Sequence, residues 1–154
     1  MPYTVSKHPN PKYFLAWSGG LQSTTLLVMS ALGDIRKVDG ALFADLGLES
    51  ELTYKIIDFY TKFAEERGIK IYKVSRGSIE DNLKDAPFYI AGGGMLRRQC
   101  TRKLKIEPMN MKIRELCGLR LDGKGRTKRE TAVVYLGISF DELYRIKEHG
   151  KKRA

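Results

Sequence analysis

The chain has 154 residues and a net charge of +10 at pH 7, from 28 Lys and Arg against 18 Asp and Glu. This length suits one domain with its own hydrophobic core, and no apolar run approaches the ~20 residues that a membrane-spanning helix requires. We therefore expect a single domain over residues 1–154 and no membrane partner. The first residues lack the apolar stretch of a secretory signal, which predicts a cytoplasmic, reducing location.

The excess positive charge lies in the C-terminal third of the chain. Residues 97–154 carry 17 Lys and Arg against 7 Asp and Glu, whereas residues 1–96 carry 11 of each. A basic segment of this kind attracts phosphates on a nucleotide or a nucleic acid, or a small oxyanion. The alternative is an ordinary solvated basic surface.

Short β-type runs alternate with helix-period segments along the chain, which predicts an α/β fold with a parallel sheet. Strands are expected over residues 13–17, 40–45, 69–74 and 132–136. Helices are expected over residues 21–32, 49–67, 78–84, 108–117 and 140–147, with loops over 85–95 and 121–131. The apolar stripe of the second helix is expected to lie in the core, and it consists of Leu52, Ile56, Phe59, Tyr60 and Phe63.

The segment SGGLQST, residues 18–24, stands between the first predicted strand and the first predicted helix. The backbone N–H groups of a helix start have no intrahelical partners, and with the helix dipole they form a site for anions. Gly19 and Gly20 let the backbone approach a phosphate, while Ser18, Ser23 and Thr24 add hydroxyl groups. The lysine of a Walker A loop is missing. The alternative is a tight turn with Ser18 as a simple helix cap.

This segment resembles the SGGxxS loop of the PP-loop ATP pyrophosphatase superfamily, which has the adenine nucleotide alpha hydrolase-like fold. Three further segments resemble the phosphoadenosine phosphosulfate (PAPS) reductase family: FADLG at 43–47, RQCTRKLKIEP at 98–108, and LGISFDE at 136–142 with Arg145. The resemblance implies one PP-loop nucleotide-binding domain. It also implies three layers, with a mostly parallel, twisted sheet of about five strands and helices on both faces.

The resemblance further implies a site for an adenine nucleotide, either ATP or a sulfonucleotide. The residues expected to bind it are Ser18, Gly19, Gly20, Gln22, Ser23, Thr24, Asp45, Gly47, Arg102, Gly137 and Ser139. Asp45 would contact ribose or adenine, or hold Mg²⁺, and the alternative is a helix-capping aspartate. Arg98, Lys105 and Cys100 are the expected catalytic residues, because guanidinium and ammonium groups match oxyanions and a thiolate flanked by cations is nucleophilic.

Three features depart from the family pattern. Gln22 stands where many relatives have a magnesium-binding aspartate, and an amide is a weaker ligand for this cation. The chain has only two cysteines, which excludes an intramolecular four-cysteine iron–sulfur cluster, and Cys117 is expected in the core. The sequence ends nine residues after Arg145. Either a compact core suffices, or a partner protein completes the site. A homodimer is a separate expectation.

The leading interpretation is a PAPS reductase-like enzyme that cleaves ATP at the α–β phosphate bond to adenylate a substrate, or that acts in sulfur transfer. A sulfonucleotide reductase is the first alternative, in which Cys100 attacks sulfur and a thiol donor completes the reaction. A non-catalytic nucleotide-binding or nucleic-acid-binding module is the second, based on the basic segment 97–154.

Overall fold

A computed structural model of the chain describes residues 10–47, 49–77, 89–90, 94–95, 101–119 and 132–139. A π-helical segment, Thr101–Ile106, directly precedes the third α-helix. The other elements follow in chain order as β1 Lys12–Trp17, α1 Leu21–Leu32, β2 Gly40–Ala44, α2 Glu51–Glu65, β3 Lys70–Val74, β4 Tyr89–Ile90, β5 Gly94–Met95, α3 Glu107–Leu116 and β6 Ala132–Leu136. None of the helices in these ranges is long and apolar enough to cross a membrane.

Four of the described strands form one parallel sheet in the order β3-β2-β1-β6. The chain moves from β1 outward to β2 and β3, and then returns to place β6 on the other side of β1. This reversal is a topological switch point, and open α/β sheets bind ligands outside the carboxyl ends of the strands at such a point. The ends of β1 and β6 lie side by side here, with Ala16 opposite Leu136.

The face of the sheet beneath α1 and α2 carries the larger core cluster. Leu15, Trp17 and Phe43 point to this side because alternate residues of a strand share a face. Leu27 of α1 and Ile57 of α2 pack onto them and are fully buried. This layer fixes the start of both helices at the carboxyl edge of the sheet.

The opposite face is covered by α3. Phe14 and Leu42 point to this side and pack with Ile113, while Cys117 at the end of α3 is half-buried against the same cluster, in line with its expected core position. Helices therefore lie on both faces of a parallel sheet, and the three-layer α/β prediction is confirmed. The described residues place four strands in this sheet, whereas about five were expected.

Two local predictions were wrong. The segment 85–95 was expected to be a loop, but it contains the antiparallel pair β4 and β5. Leu52 and Phe59 of α2 were expected in the core, yet they are 67% and 63% exposed. The reason is that α2 turns Ile57 and Ala64 to the sheet, so the stripe that contains Leu52 and Phe59 lies on another side of the helix.

Candidate functional site

The turn between β1 and α1 is built around Gly19. Its φ of +74° is one that residues with a Cβ rarely adopt, and a Cβ there would lie 3.3 Å from Cγ1 of Ile57 in α2. Gly20 is extended and precedes the first helical residue, Leu21. The turn thus bends sharply under α2 and leaves the first-turn amides of α1 without intrahelical acceptors.

Ser23 closes this turn from inside. Its hydroxyl accepts a hydrogen bond from the Ser18 amide at 3.2 Å and donates to the Gly20 carbonyl oxygen, also at 3.2 Å. Ser23 is buried, whereas Ser18 is exposed, with its own hydroxyl 3.1 Å from that of Ser23. Ser18 is therefore the serine of the turn whose hydroxyl faces solvent, and Ser23 holds the backbone in shape.

Thr24 also has a structural role at the start of α1. Its Oγ1 accepts a hydrogen bond of 3.0 Å from the Trp17 indole, and the residue is buried. This bond ties the start of α1 to the end of β1. A hydroxyl that accepts one hydrogen bond can still donate one, so the expected contact of Thr24 with a phosphate stays a prediction beside this structural role.

Replacing Thr24 tests this assignment. Thr24→Val keeps the shape but leaves the buried indole N–H without an acceptor, which costs about 1–3 kcal/mol. We expect the free energy of unfolding, measured in urea, to fall by that amount. Thr25→Val is the matched control: Thr25 is exposed and donates to the Leu21 carbonyl oxygen, so its loss should change stability by less than about 0.5 kcal/mol. Equal effects would contradict the assignment.

Asp45 follows β2 directly at the same edge of the sheet. Its amide donates to the Val74 carbonyl oxygen at 2.9 Å. Its Oδ1 accepts two hydrogen bonds, from the Gly47 amide at 2.9 Å and from the Tyr54 hydroxyl at 2.8 Å. Gly47 adopts a φ of +73°, which closes this small turn. Oδ2 has no hydrogen-bond partner among the described residues, so one carboxylate oxygen remains available.

The hydrogen bond to Asp45 changes the pKa of the Tyr54 hydroxyl. The hydrogen bond to Asp45, with desolvation and the carboxylate charge, raises the pKa of Tyr54 above its ordinary value of 10.0. A raised pKa in the folded state means that the contribution of this bond to stability is complete below pH 10 and is lost as pH rises through the pKa of the folded state. The bond is therefore intact throughout the physiological range.

Gly137 brings the end of β6 against the same turn. A Cβ on Gly137 would lie 2.6 Å from the Ser23 amide nitrogen and 2.9 Å from the Gln22 carbonyl carbon. Both contacts are closer than real Cβ atoms reach, so only glycine fits here. The backbone after β6 thus abuts the first turn of α1, and half-buried Ser139 follows two residues later.

A small cleft of about 60 Å³ opens between the ends of β1 and β2 and the start of α3. Its apolar walls come from Ala16, Trp17, Phe43, Ala44 and Met109, and its polar groups from Ser18, Glu49 and Lys105. A volume of this size exceeds what one water needs and suits one small group of a larger ligand. Lys105 lies in the π-helical segment and is half-buried, and among the described residues it is the positively charged one that lines this cleft.

These positions all lie within residues 12–147, the span over which the chain matches the model of the phosphoadenosine phosphosulfate reductase domain. The chain belongs to this family. The PAPS reductase-like resemblance seen in the sequence is thereby confirmed, and it places the chain among nucleotide-binding, sulfonucleotide-related enzymes. None of the curated proteins matches the chain.

The basic residues of this PAPS reductase domain are only partly placed. Arg102 is exposed, with Nε 3.4 Å from Oε1 of Glu107, and Arg76 pairs with the same carboxylate. Arg98, Cys100 and Arg145 lie outside the described residues. Gln22 is exposed on the first turn of α1. The described residues contain no group of three or more His, Cys, Asp or Glu that could hold a metal ion.

The sequence interpretation of this domain missed Tyr54 and Glu49. A tyrosine on the inner side of an amphipathic helix usually needs a partner for its hydroxyl, and that rule was the available signal for Tyr54. Nothing in the local pattern marked Glu49, because its place in the cleft depends on how the loop after β2 folds back.

Proposed function

We propose that the chain is an enzyme that binds an adenine nucleotide across the carboxyl ends of β1, β2 and β6. The proposal rests chiefly on the contact between Gly137 and the first turn of α1. This contact brings the SGGLQST segment at 18–24 and the start of the LGISFDE segment at 136–142 together around the helix-start amides of α1. Both segments lie within the span that matches the family. Such amides, at the positive end of a helix dipole, bind phosphate or sulfate oxygens.

The same edge offers groups for the rest of the nucleotide. Asp45 follows β2, whose end lies beside the end of β1, and we assign it to the ribose or the adenine because open α/β sheets bind ligands at this edge. The apolar walls of the cleft suit an uncharged part of the ligand, and Lys105 and Ser18 suit an oxyanion. Where Mg²⁺ accompanies the phosphates, Asp45 Oδ2 is the described carboxylate oxygen that could hold it, and the ion would neutralise phosphate charge.

The reaction we propose is adenylation. A nucleophilic atom of the acceptor attacks the α-phosphorus of ATP, the bond from this phosphorus to the bridging oxygen breaks, and pyrophosphate leaves with the electron pair. Charge develops on the phosphate oxygens, so prepositioned amides and Lys105 stabilise the transition state more than the ground state. In a sulfur transfer, a sulfur nucleophile would then attack the adenylated atom of the acceptor, and AMP would leave with the electron pair of the broken bond.

Sulfonucleotide reduction is the second candidate, and the family match favours it. In that reaction a thiolate attacks the sulfur of PAPS or adenylyl sulfate, and the sulfur–oxygen bond to the phosphate breaks. A second thiol then releases sulfite and forms a disulfide with the first. Cys100 is the proposed attacking thiolate, with a separate protein or small thiol as donor. The test is release of sulfite with thioredoxin supplied, and loss of that release in Cys100→Ser with nucleotide binding intact.

Calorimetric titration tests the shared part of both candidates. We expect ATP, adenylyl sulfate or PAPS to bind more tightly than AMP, because AMP lacks the second anionic group for the helix-start amides. Inorganic pyrophosphate is the control that separates anion binding from recognition of adenosine. Each ligand is titrated with and without Mg²⁺. Binding of none of these nucleotides, together with RNA affinity that falls steeply with salt, would contradict the proposal and favour a nucleic-acid-binding module.

A further inference from the structure

The loop after β2 is held by one side chain of α2. Tyr54 reaches back from the first turns of this helix and donates its hydroxyl to Asp45 Oδ1 at 2.8 Å. The Gly47 amide donates to the same oxygen at 2.9 Å. Two donors therefore occupy Oδ1, and they fix the plane of the carboxylate relative to the end of β2.

These two hydrogen bonds leave the other carboxylate oxygen of Asp45, Oδ2, for a ligand. Oδ2 has no partner within the described part of the chain, and Asp45 is half-exposed at the ligand-binding edge of the sheet. With Oδ1 occupied, a ligand can use only Oδ2, whether it is a hydroxyl donor or a cation. A cation also needs further ligands, and the described residues contain no group of three or more His, Cys, Asp or Glu that would supply them. A single neutral hydroxyl donor needs only Oδ2, so the site suits a hydroxyl group better than a metal ion.

We propose that Tyr54 is a positioning residue that orients Asp45 to accept a hydrogen bond from a ribose hydroxyl of the bound nucleotide. This inference rests on the proposed function. It chooses between the two roles that Asp45 could take, recognition of ribose and binding of Mg²⁺. It also predicts that the site distinguishes ribonucleotides from their deoxy analogues, because a hydroxyl-reading site leaves its acceptor unpaired when the hydroxyl is missing.

Tyr54→Phe removes only the hydroxyl. We expect the dissociation constant for ATP to rise about three- to tenfold, which is less than the loss of a whole hydrogen bond to a charged group, because Asp45 keeps its charge and loses only its orientation. In the wild type, the dissociation constant for 2′-deoxy-ATP or 3′-deoxy-ATP should exceed that for ATP. The ratio of the two constants should fall toward one in Tyr54→Phe and in Asp45→Ala. In an Asp45→Ala background, Tyr54→Phe should have no further effect.

Tyr60→Phe is the matched control on the same helix. Tyr60 is half-buried and contacts Phe59 and Phe63 through its ring, so its hydroxyl should not affect the ATP-to-deoxy-ATP ratio. Additive effects of Tyr54→Phe and Asp45→Ala would overturn the inference. So would an intact ratio in Tyr54→Phe, or an effect of Asp45→Ala that appears only with Mg²⁺.

A readout without nucleotide separates this inference from the proposed function. In ¹⁵N NMR spectra of the protein without nucleotide, Tyr54→Phe should shift the amide resonance of Gly47 more than Tyr60→Phe does, because the Gly47 amide and the Tyr54 hydroxyl donate to the same oxygen of Asp45. An unchanged Gly47 resonance in Tyr54→Phe would overturn the inference even where ATP binds. Failure of the wild type to bind ATP, adenylyl sulfate and PAPS would instead overturn the proposed function, and the role assigned to Tyr54 with it.

Discussion

Gly137→Ala is expected to reduce nucleotide binding below detection and to lower the free energy of unfolding by about 1–3 kcal/mol. The added methyl group would lie 2.6 Å from the Ser23 amide nitrogen and 2.9 Å from the Gln22 carbonyl carbon. Both neighbours are backbone atoms, so no side-chain rotation can relieve the clash. Either the end of β6 or the first turn of α1 must move, and the latter carries the amides proposed to bind phosphate.

Gly33→Ala is the matched control for this substitution. Gly33 ends α1 with a φ of +88°, which alanine adopts only with strain, but its Cβ would meet nothing within 4 Å. We expect Gly33→Ala to cost about 1–2 kcal/mol of stability and to retain nucleotide binding, because it lies at the opposite end of α1 from the proposed site. Calorimetry and urea unfolding of both variants make the comparison. A Gly137→Ala protein that binds as the wild type does would contradict the assigned contact.

Lys105→Gln is expected to lower turnover about 10²–10³-fold while the protein stays folded. Lys105 lines the cleft beside Ser18, and in both proposed reactions the charge on the phosphate or sulfate oxygens would develop beside it. Glutamine keeps the length and polarity of the side chain but removes the positive charge. The loss should fall mainly on kcat, because the charge stabilises the transition state more than the bound nucleotide.

Lys103→Gln provides the control on the same π-helical segment, since Lys103 is exposed and does not line the cleft. Its replacement should leave turnover within about threefold of the wild type, as expected for a screened surface charge. Equal losses in the two variants would show that only the overall basic charge of the segment matters. Rates are compared for release of pyrophosphate from ATP and of sulfite from sulfonucleotides.

Much of the fold could be predicted from the sequence because local patterns determine it. The alternation of apolar strands with helix-period segments placed α1 at residues 21–32 and β6 at residues 132–136, both as observed. The glycine pair at 19–20 marked a turn with a backbone that few residues adopt. These features depend on residues that are near one another in the chain.

Features that depend on distant contacts could not be predicted. The orientation of α2 buries Ile57 and exposes Phe59, and which apolar side of the helix faces the sheet depends on its packing against residues from β1, α1 and β2. The hydrogen bond from the Trp17 indole to the Thr24 hydroxyl could not be predicted either, because nothing in the local pattern shows how the end of β1 packs on the start of α1. The requirement for glycine at position 137 could not be predicted either, because the residue it contacts, Ser23, lies 114 residues earlier in the chain.

An NMR titration of ¹⁵N-labelled protein with ATP, adenylyl sulfate and PAPS tests the central claim most directly. The account predicts that the largest amide shifts fall on Gly19 to Ser23 and on Gly137 to Ser139, with smaller shifts at Asp45 and Gly47. AMP should shift the Asp45 region but leave the amides of the α1 start nearly unchanged. Shifts confined to other parts of the chain, or none with any of the three nucleotides, would contradict the account.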